Sequence, residues 1–353
     1  MKKCINILWI LTVSCLCLVG CSGPATTVDS GTEAKETKVI MGAGATFPYP
    51  LYAKMFDAYY QQTGYQVNYQ SIGSGGGVRQ LLKKTVDFGA TDAFITDQKM
   101  RDFPAEIVHI PTCLGAVAVS YHVPGVKSQS LRISAAVLAD IFLGKIRYWN
   151  DARIVKDNPG VSLPKLKITP VYRSDGSGTT AIFTDYLTKV SGEWKAKVGM
   201  GKSVNWPMGV GAKGNAGVAG VLKQMPGGIA YINLAYCIQN SLPLAAVENG
   251  RGDFVVPTIE STTLAASAKI PADTRVSITN SSVKNSYPIS GFTWLIIYKA
   301  LPESSNSTRI SEIKDLFSWM VSDAQSYVAP LHYAPLPSNV RVQAQKIIDS
   351  IID

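Results

Sequence analysis

Three times along the chain a short strand runs straight into a glycine-bearing turn and then into a helix. Lys38 to Met41 leads into Gly42-Ala43-Gly44-Ala45 and a helix from about Pro48 to Thr63. Within it Tyr52, Met55, Phe56, Tyr59 and Tyr60 fall on one apolar stripe, and Gly64 closes the last turn. Tyr65 to Gln70 alternates like a strand and enters Gly73-Ser74-Gly75-Gly76-Gly77, with a helix over Val78 to Lys84. Lys167 to Tyr172 enters Arg173-Ser174-Asp175-Gly176-Ser177-Gly178-Thr179, with a helix through Leu187. Further strands are predicted at Phe88 to Ala90, at Leu114 to Val123 after Pro111, and at Gly291 to Tyr298. Helices are predicted at Ile313 to Ala329 and Val340 to Ile352. Strands alternating with helices predict an α/β protein with mostly parallel sheets.

These turns suit one kind of ligand. The first N–H groups of a helix have no intrahelical partner and carry the positive end of its dipole. Glycine lets a ligand approach that backbone closely. A helix start preceded by Gly, Ser and Thr is therefore an anion site, and the hydroxyls of Thr46, Ser74, Ser177 and Thr179 add donors. Arg173 brings a planar fork that can hold two oxygens at once. Asp175, two residues on, either pairs with that fork or caps the helix that follows. Asp92 ends the strand at Phe88 to Ala90. It is either a cap, a solvated loop residue, or a carboxylate facing the anion. In the last case it repels the ligand unless the ligand brings a proton, which phosphate does near neutral pH and sulfate does not.

The chain begins with an address. Lys2 and Lys3 precede an almost unbroken apolar run, Ile5 to Leu18, shorter than the ~20 residues a membrane span needs. It ends in Leu18-Val19-Gly20-Cys21, which resembles the lipobox of bacterial lipoproteins. Residues 1–20 are expected to leave as a signal peptide, and Cys21 to carry lipid. Residues 21–37, rich in Ser, Gly, Thr, Ala and Glu, form a flexible tether. The formal charge is +9; cleavage removes Lys2 and Lys3 and leaves +7. The excess is scattered, without the basic block and interleaved aromatics of a nucleic-acid binder. Cys113 and Cys237 remain in the body, each in an apolar stretch, and read as buried thiols with pairing left open. Neither H-E-x-x-H nor Cys-x-x-Cys occurs, so no metal or cofactor is expected. A hydrolase is disfavoured because Asp175 stands where a G-x-S-x-G elbow needs glycine. None of His109, His122 and His332 lies in a motif that pairs it with Ser177.

Several strings together resemble one family: Gly42 to Pro48, Ile72 to Val78, Val86 to Ala93, Arg173 to Thr179, Leu143 to Ile146, Gly211 to Asn215, Pro226 to Tyr231 and Tyr333 to Pro337. In order and over essentially the whole mature chain, they resemble the PstS family, the extracytoplasmic phosphate-binding proteins of the Pst ABC importer. The resemblance implies a two-lobed periplasmic-binding-protein fold with two crossing hinge strands near Thr112 to Ala118 and Pro288 to Trp294. Residues 38–115 and 289–353 would form one lobe and 116–288 the other, with phosphate in the cleft. The implied ligands are Ala45, Thr46 and Phe47, then Ser74, Asp92, Arg173, Ser177, Gly178 and Thr179, with Asp175 buttressing Arg173. The implied partners are phosphate, the permease and ATPase subunits of the importer, and the membrane through Cys21. The protein is expected to be a monomer. Gly75 replaces a serine of some relatives and Phe94 a proline, and neither change removes a ligand group. Gly250 to Asn285 matches poorly and reads as a variable surface region, with Arg251-Gly252-Asp253 as chance. The alternatives are a receptor for another oxyanion of the sulfate or molybdate class, or a surface lipoprotein that senses phosphate or adheres.

Overall fold

The computed structural model describes residues 39–267, 269–300 and 307–352. The signal peptide, Cys21 and the tether lie outside them. The strands are β1 (Val39–Gly44), β2 (Gln66–Ser71), β3 (Phe88–Thr91), β4 (Ile107–Tyr121), β5 (Arg132–Ile133), β6 (Thr169–Arg173), β7 (Val210–Ala212), β8 (Gly228–Asn233), β9 (Ala246–Glu248), β10 (Phe254–Val255) and β11 (Ser290–Tyr298). Eight of them form one sheet in the order β2-β1-β3-β11-β4-β8-β6-β7, and β10-β9-β5 form a small second one.

The large sheet has two parallel ends and an antiparallel middle. β1 runs parallel to β2 and β3, and β6 runs parallel to β7 and β8. Between these groups, β3–β11, β11–β4 and β4–β8 are antiparallel. β4 serves both halves. Its Ile107 to Ala116 stretch pairs with β11, and Val117 to Tyr121 pairs with β8. Nearly every residue of β4 and β11 is buried. That is why both read as continuous apolar runs without alternation.

β4 also shows where local pattern misleads. The sequence places its start after Pro111, yet Pro111 lies inside it, opposite Trp294. The register of β11 shifts there, between Thr293 and Trp294. A bulge tolerates a residue with no N–H to give the ladder.

The helix Tyr49–Thr63 buries Leu51, Tyr52, Met55, Phe56 and Tyr59, each fully buried apolar side chain contributing about 1.5–3 kcal/mol. Gly64 ends it in the left-handed conformation. Tyr60 is the exception to the stripe, at 45 % exposure. It stands about 80° around the helix from Tyr52, at the stripe's edge. The second helix begins earlier than its pattern suggests, at Ser74, and ends at Leu82. Its first turn is built of glycines because it abuts β1. A Cβ on Gly77 would stand 2.5 Å from the Ala43 carbonyl oxygen. The helix expected through Ala329 runs Ser307–Val321, then breaks into 3-10 turns at Asp323–Tyr327 and Ala329–Leu331. Buried Gln325 enforces the break: its Nε2 donates to the Thr112 carbonyl and its Oε1 accepts from the Leu336 N–H.

The stretch from Gly250 to Asn285 is less superficial than expected. It holds β10 and a helix, Ile259–Ala265, and it buries Ile270, Thr274 and Ile278. Thr274 Oγ1 donates to the His109 carbonyl and accepts from Trp294 Nε1. Cys113 and Cys237 are both buried and free. No helix among the described residues is long and apolar enough to cross a membrane.

Candidate functional site

The first turn links β1 to the helix Tyr49–Thr63. Thr46 is buried at its centre. Its carbonyl accepts from Tyr236 Oη at 2.7 Å, and the Phe47 carbonyl accepts from Tyr333 Oη at 2.6 Å. The Ala45 carbonyl accepts from Tyr69 Oη at 2.8 Å, and across their trans peptides the held Ala45 and Thr46 carbonyls turn the N–H groups of Thr46 and Phe47 the opposite way. The N–H groups of Thr46 and Phe47 have no protein acceptor among the described residues. Ala45 plays a different part: its N–H donates to the Ala90 carbonyl at 2.9 Å and extends the sheet.

The second turn brings Ser74, fully buried, to the start of its helix, after Gly73 at φ 85°. Ser74 Oγ accepts from the N–H groups of Asp92 (3.2 Å) and Gly178 (3.1 Å). Those two bonds fill its lone pairs, so its proton turns to Asp92 Oδ2 at 3.4 Å. The other oxygen, Oδ1, accepts from Thr293 Oγ1 at 2.9 Å. Asp92 is 3 % exposed and makes no ion pair among the described residues. Burial pushes its carboxyl up to about 7, against the opposing pull of Thr293, Arg173, Ser74 and Lys202. This removes the sequence ambiguity: Asp92 is neither a solvated loop residue nor a helix cap.

The third turn carries Arg173, buried at the end of β6. Its backbone N–H donates to Tyr231 Oη at 3.0 Å. Its Nε and Nη2 reach Asp175 Oδ1 and Oδ2 at 2.7 and 2.5 Å, a bidentate clamp, and Nη1 lies 3.4 Å from Thr179 Oγ1. Asp175 therefore pairs with the fork instead of capping the helix. Burial alone would raise its carboxyl, but the Arg173 bonds and the Gly214 N–H hold it below the usual range. The cap of the helix Gly178–Val190 is Ser177, whose Oγ accepts from the Thr180 N–H at 3.0 Å. The Thr179 N–H has no protein acceptor among the described residues, nor has that of Ser74.

The three turns meet. The Gly75 N–H donates to the Gly176 carbonyl at 2.8 Å, joining the second turn to the third. Gly178 stands so close that a Cβ on it would lie 2.5 Å from Asp92 Oδ2. A cavity of about 530 Å³ opens beside them, reached by Thr46, Asp175, Asn215 and Lys213. The residues of the three turns and Asp92 thus lie together, while the expected lipid site Cys21 falls outside the described residues. Ala45, Ser177 and Gly178 have their N–H groups engaged by protein acceptors, whereas those of Thr46, Phe47, Ser74 and Thr179 do not. Three residues that contact or neighbour the site escape the sequence reading. Thr293 braces Asp92 from β11, and Asn215 bridges the turns. Half-buried Lys202 places a charge near Asp92, its ammonium lowered to about 8 chiefly by burial and by Lys99. Asn215 was within reach, since it ends the glycine run Gly211 to Asn215. Nothing in the sequence around Lys202 or Thr293 marks them.

Helix starts converging on a buried Arg and one acceptor carboxylate, carried on two parallel half-sheets, define a receptor for a small oxyanion. The comparisons agree with that class. A family profile described as a PBP superfamily domain matches residues 29–324. Phosphate-binding protein PstS of Xylella fastidiosa is 40% identical over 95% of this chain and 96% of its own length. The Haemophilus influenzae protein of the same name is 43% identical over 85% and 90%. A solved structure described as a human phosphate-binding apolipoprotein superposes with a TM-score of 0.70 at 22% identity, covering 87% of this chain and 93% of that one, and shows the fold. The chain belongs to the PstS family of the PBP superfamily.

Proposed function

We propose that this chain captures inorganic phosphate outside the cytoplasm and delivers it to an ABC importer whose permease and ATPase are other chains. The observation that carries the reading is Asp92: a buried carboxylate that accepts from Ser74 and Thr293 and stands beside the helix starts that supply the N–H donors. A site of donors alone would take any oxyanion. One acceptor at its centre favours an anion that still holds a proton. The names of the relatives, phosphate-binding protein PstS, support the same ligand.

In this reading Thr46, Phe47, Ser74 and Asp92 hold phosphate from one lobe and Arg173, Ser177 and Thr179 from the other, with Asp175 fixing Arg173 and the Gly178 N–H given instead to Ser74 Oγ. The lobes are residues 38–115 with 289–353, and residues 116–288. β4 and β11 hinge them, which fits the change of pairing partner at Ala116 to Val117. The protein acts as a monomer tethered through lipid on Cys21, two or more acyl chains being enough for stable anchoring. No catalytic step is part of this role.

Calorimetric titration with phosphate, arsenate and sulfate tests it. Phosphate and arsenate, which carry a proton near neutrality, should bind, and sulfate should compete poorly. Sulfate binding as tightly as phosphate would make the chain a receptor for another oxyanion.

A further inference from the structure

Asn215 supplies no atom to the phosphate set named above, yet it ties two of its turns together. It stands in the first turn of the helix Gly214–Lys223 and is fully buried. Its Oδ1 accepts from the Asn233 backbone N–H at 3.0 Å. A backbone N–H can only donate, so the atom facing it is the amide oxygen, and the position of Nδ2 is thereby fixed. Nδ2 carries two hydrogens. It lies 2.9 Å from Thr46 Oγ1 and 3.1 Å from Thr179 Oγ1, one threonine in the first turn and one in the third.

Each of those hydroxyl oxygens receives a second donor. The Asn215 backbone N–H reaches Thr46 Oγ1 at 3.3 Å, and Arg173 Nη1 reaches Thr179 Oγ1 at 3.4 Å. A hydroxyl has two acceptor positions and one proton. With both positions filled, only the proton is left to engage a ligand. We propose that Asn215 is a positioning residue that makes the Thr46 and Thr179 hydroxyls obligate donors, so that the anion must present bare oxygens to both and turn its own proton toward Asp92. The inference rests on the phosphate reading above. It adds that specificity is written in hydroxyl direction as well as in Asp92, and that the lobes share one proton-ordering device.

A double-mutant cycle on phosphate affinity tests it. Asn215→Ala alone should weaken binding at least tenfold. In a chain that already carries Thr46→Val and Thr179→Val, the same change should cost less than about twofold, because no hydroxyl is left to orient. A persisting tenfold loss in that background overturns the proposal and leaves Asn215 a structural residue. The pH profile gives a second readout. At pH 6 more of the phosphate carries a second proton, which donor-only hydroxyls cannot accept, so affinity should fall from pH 8 to pH 6; freed hydroxyls can accept it, so that fall should be shallower in Asn215→Ala, and an unchanged profile counts against the proposal. If Asn215→Ala does not fold, Asn215→Leu, which keeps the volume without the amide or a charge, takes its place in the cycle. Its loss must shrink at least fivefold once both hydroxyls are gone, and a loss that does not shrink overturns the idea. The phosphate reading fails separately. Failure of the unaltered chain to bind phosphate removes both readings, whereas the persisting loss removes only this one.

Discussion

Asp92 and Asp175 both stand where the three turns meet, and their neighbours drive them apart. Asp175 has the Arg173 fork and the Gly214 N–H, so its charge is satisfied and its carboxyl sits below the usual range despite burial. Among the described residues the Asp92 carboxyl accepts from two hydroxyls and no cation, so burial wins and its carboxyl rises to about 7. The same side chain is a fixed brace in one place and a proton acceptor in the other. Burial sets the cost of the charge, and the partner decides whether that cost is met. A cleft built this way can bind an anion firmly through Arg173 and still ask, through Asp92, whether the anion carries a proton.

The largest effect should come from removing the charge that one side of this contrast depends on. Arg173→Ala deletes the fork and leaves Asp175 buried without its partner. Phosphate affinity should fall at least a hundredfold, about 3 kcal/mol, since more than one charge-assisted bond is lost. Calorimetry showing a loss under threefold would take Arg173 out of the site.

The next test concerns stability without ligand. Asp92 binds a proton more readily folded than unfolded, so the unfolded state holds fewer protons between the two pKa values. The Asp92 contribution to stability should therefore fall as pH rises from near 4 to near 7, while buried His109, lowered to about 3, contributes with the opposite sign up to its ordinary value. Over pH 5 to 7 the loss is on the order of 2 kcal/mol. In denaturant melts the difference between the unaltered chain and Asp92→Asn should carry this pH dependence, while the difference from Asp175→Asn should not. An equal slope in the unaltered chain and Asp92→Asn would mean that Asp92 is not the titrating group.

The smallest effect belongs to the brace. Asp175→Asn keeps an acceptor for the Gly214 N–H but loses the paired charge on Arg173. It should weaken phosphate about tenfold, near 1.4 kcal/mol, less than Arg173→Ala. A loss matching or exceeding that of Arg173→Ala would make Asp175 more than a support.

Much of this contrast was legible in the sequence, for a physical reason. Helix starts, glycine turns and a basic residue at a strand end are local signals, so the three turns and Arg173 could be read directly. The roles of Asp92 and Asp175 could not be settled from local signals. Asp92 becomes an acceptor only because Thr293, 201 residues away, and Ser74 close around it. Asn215 and Lys202 matter through contacts that no periodicity encodes. The strand boundary at Pro111 failed for a related reason: the bulge that admits the proline is set by β11, far along the chain. The stretch from Gly250 to Asn285 has weak patterning, yet it buries Thr274 against His109 and Trp294, a long-range fit.

The claim that Asp92 reads the phosphate proton meets its most direct test in competition between phosphate and sulfate for the unaltered chain and for Asp92→Asn. The unaltered chain should prefer phosphate strongly. Asn has the shape of Asp without its charge and can donate, so Asp92→Asn should let sulfate compete and narrow the preference by at least tenfold. If sulfate competes as poorly with Asp92→Asn as with the unaltered chain, selection for phosphate lies elsewhere and Asp92 is not its reader.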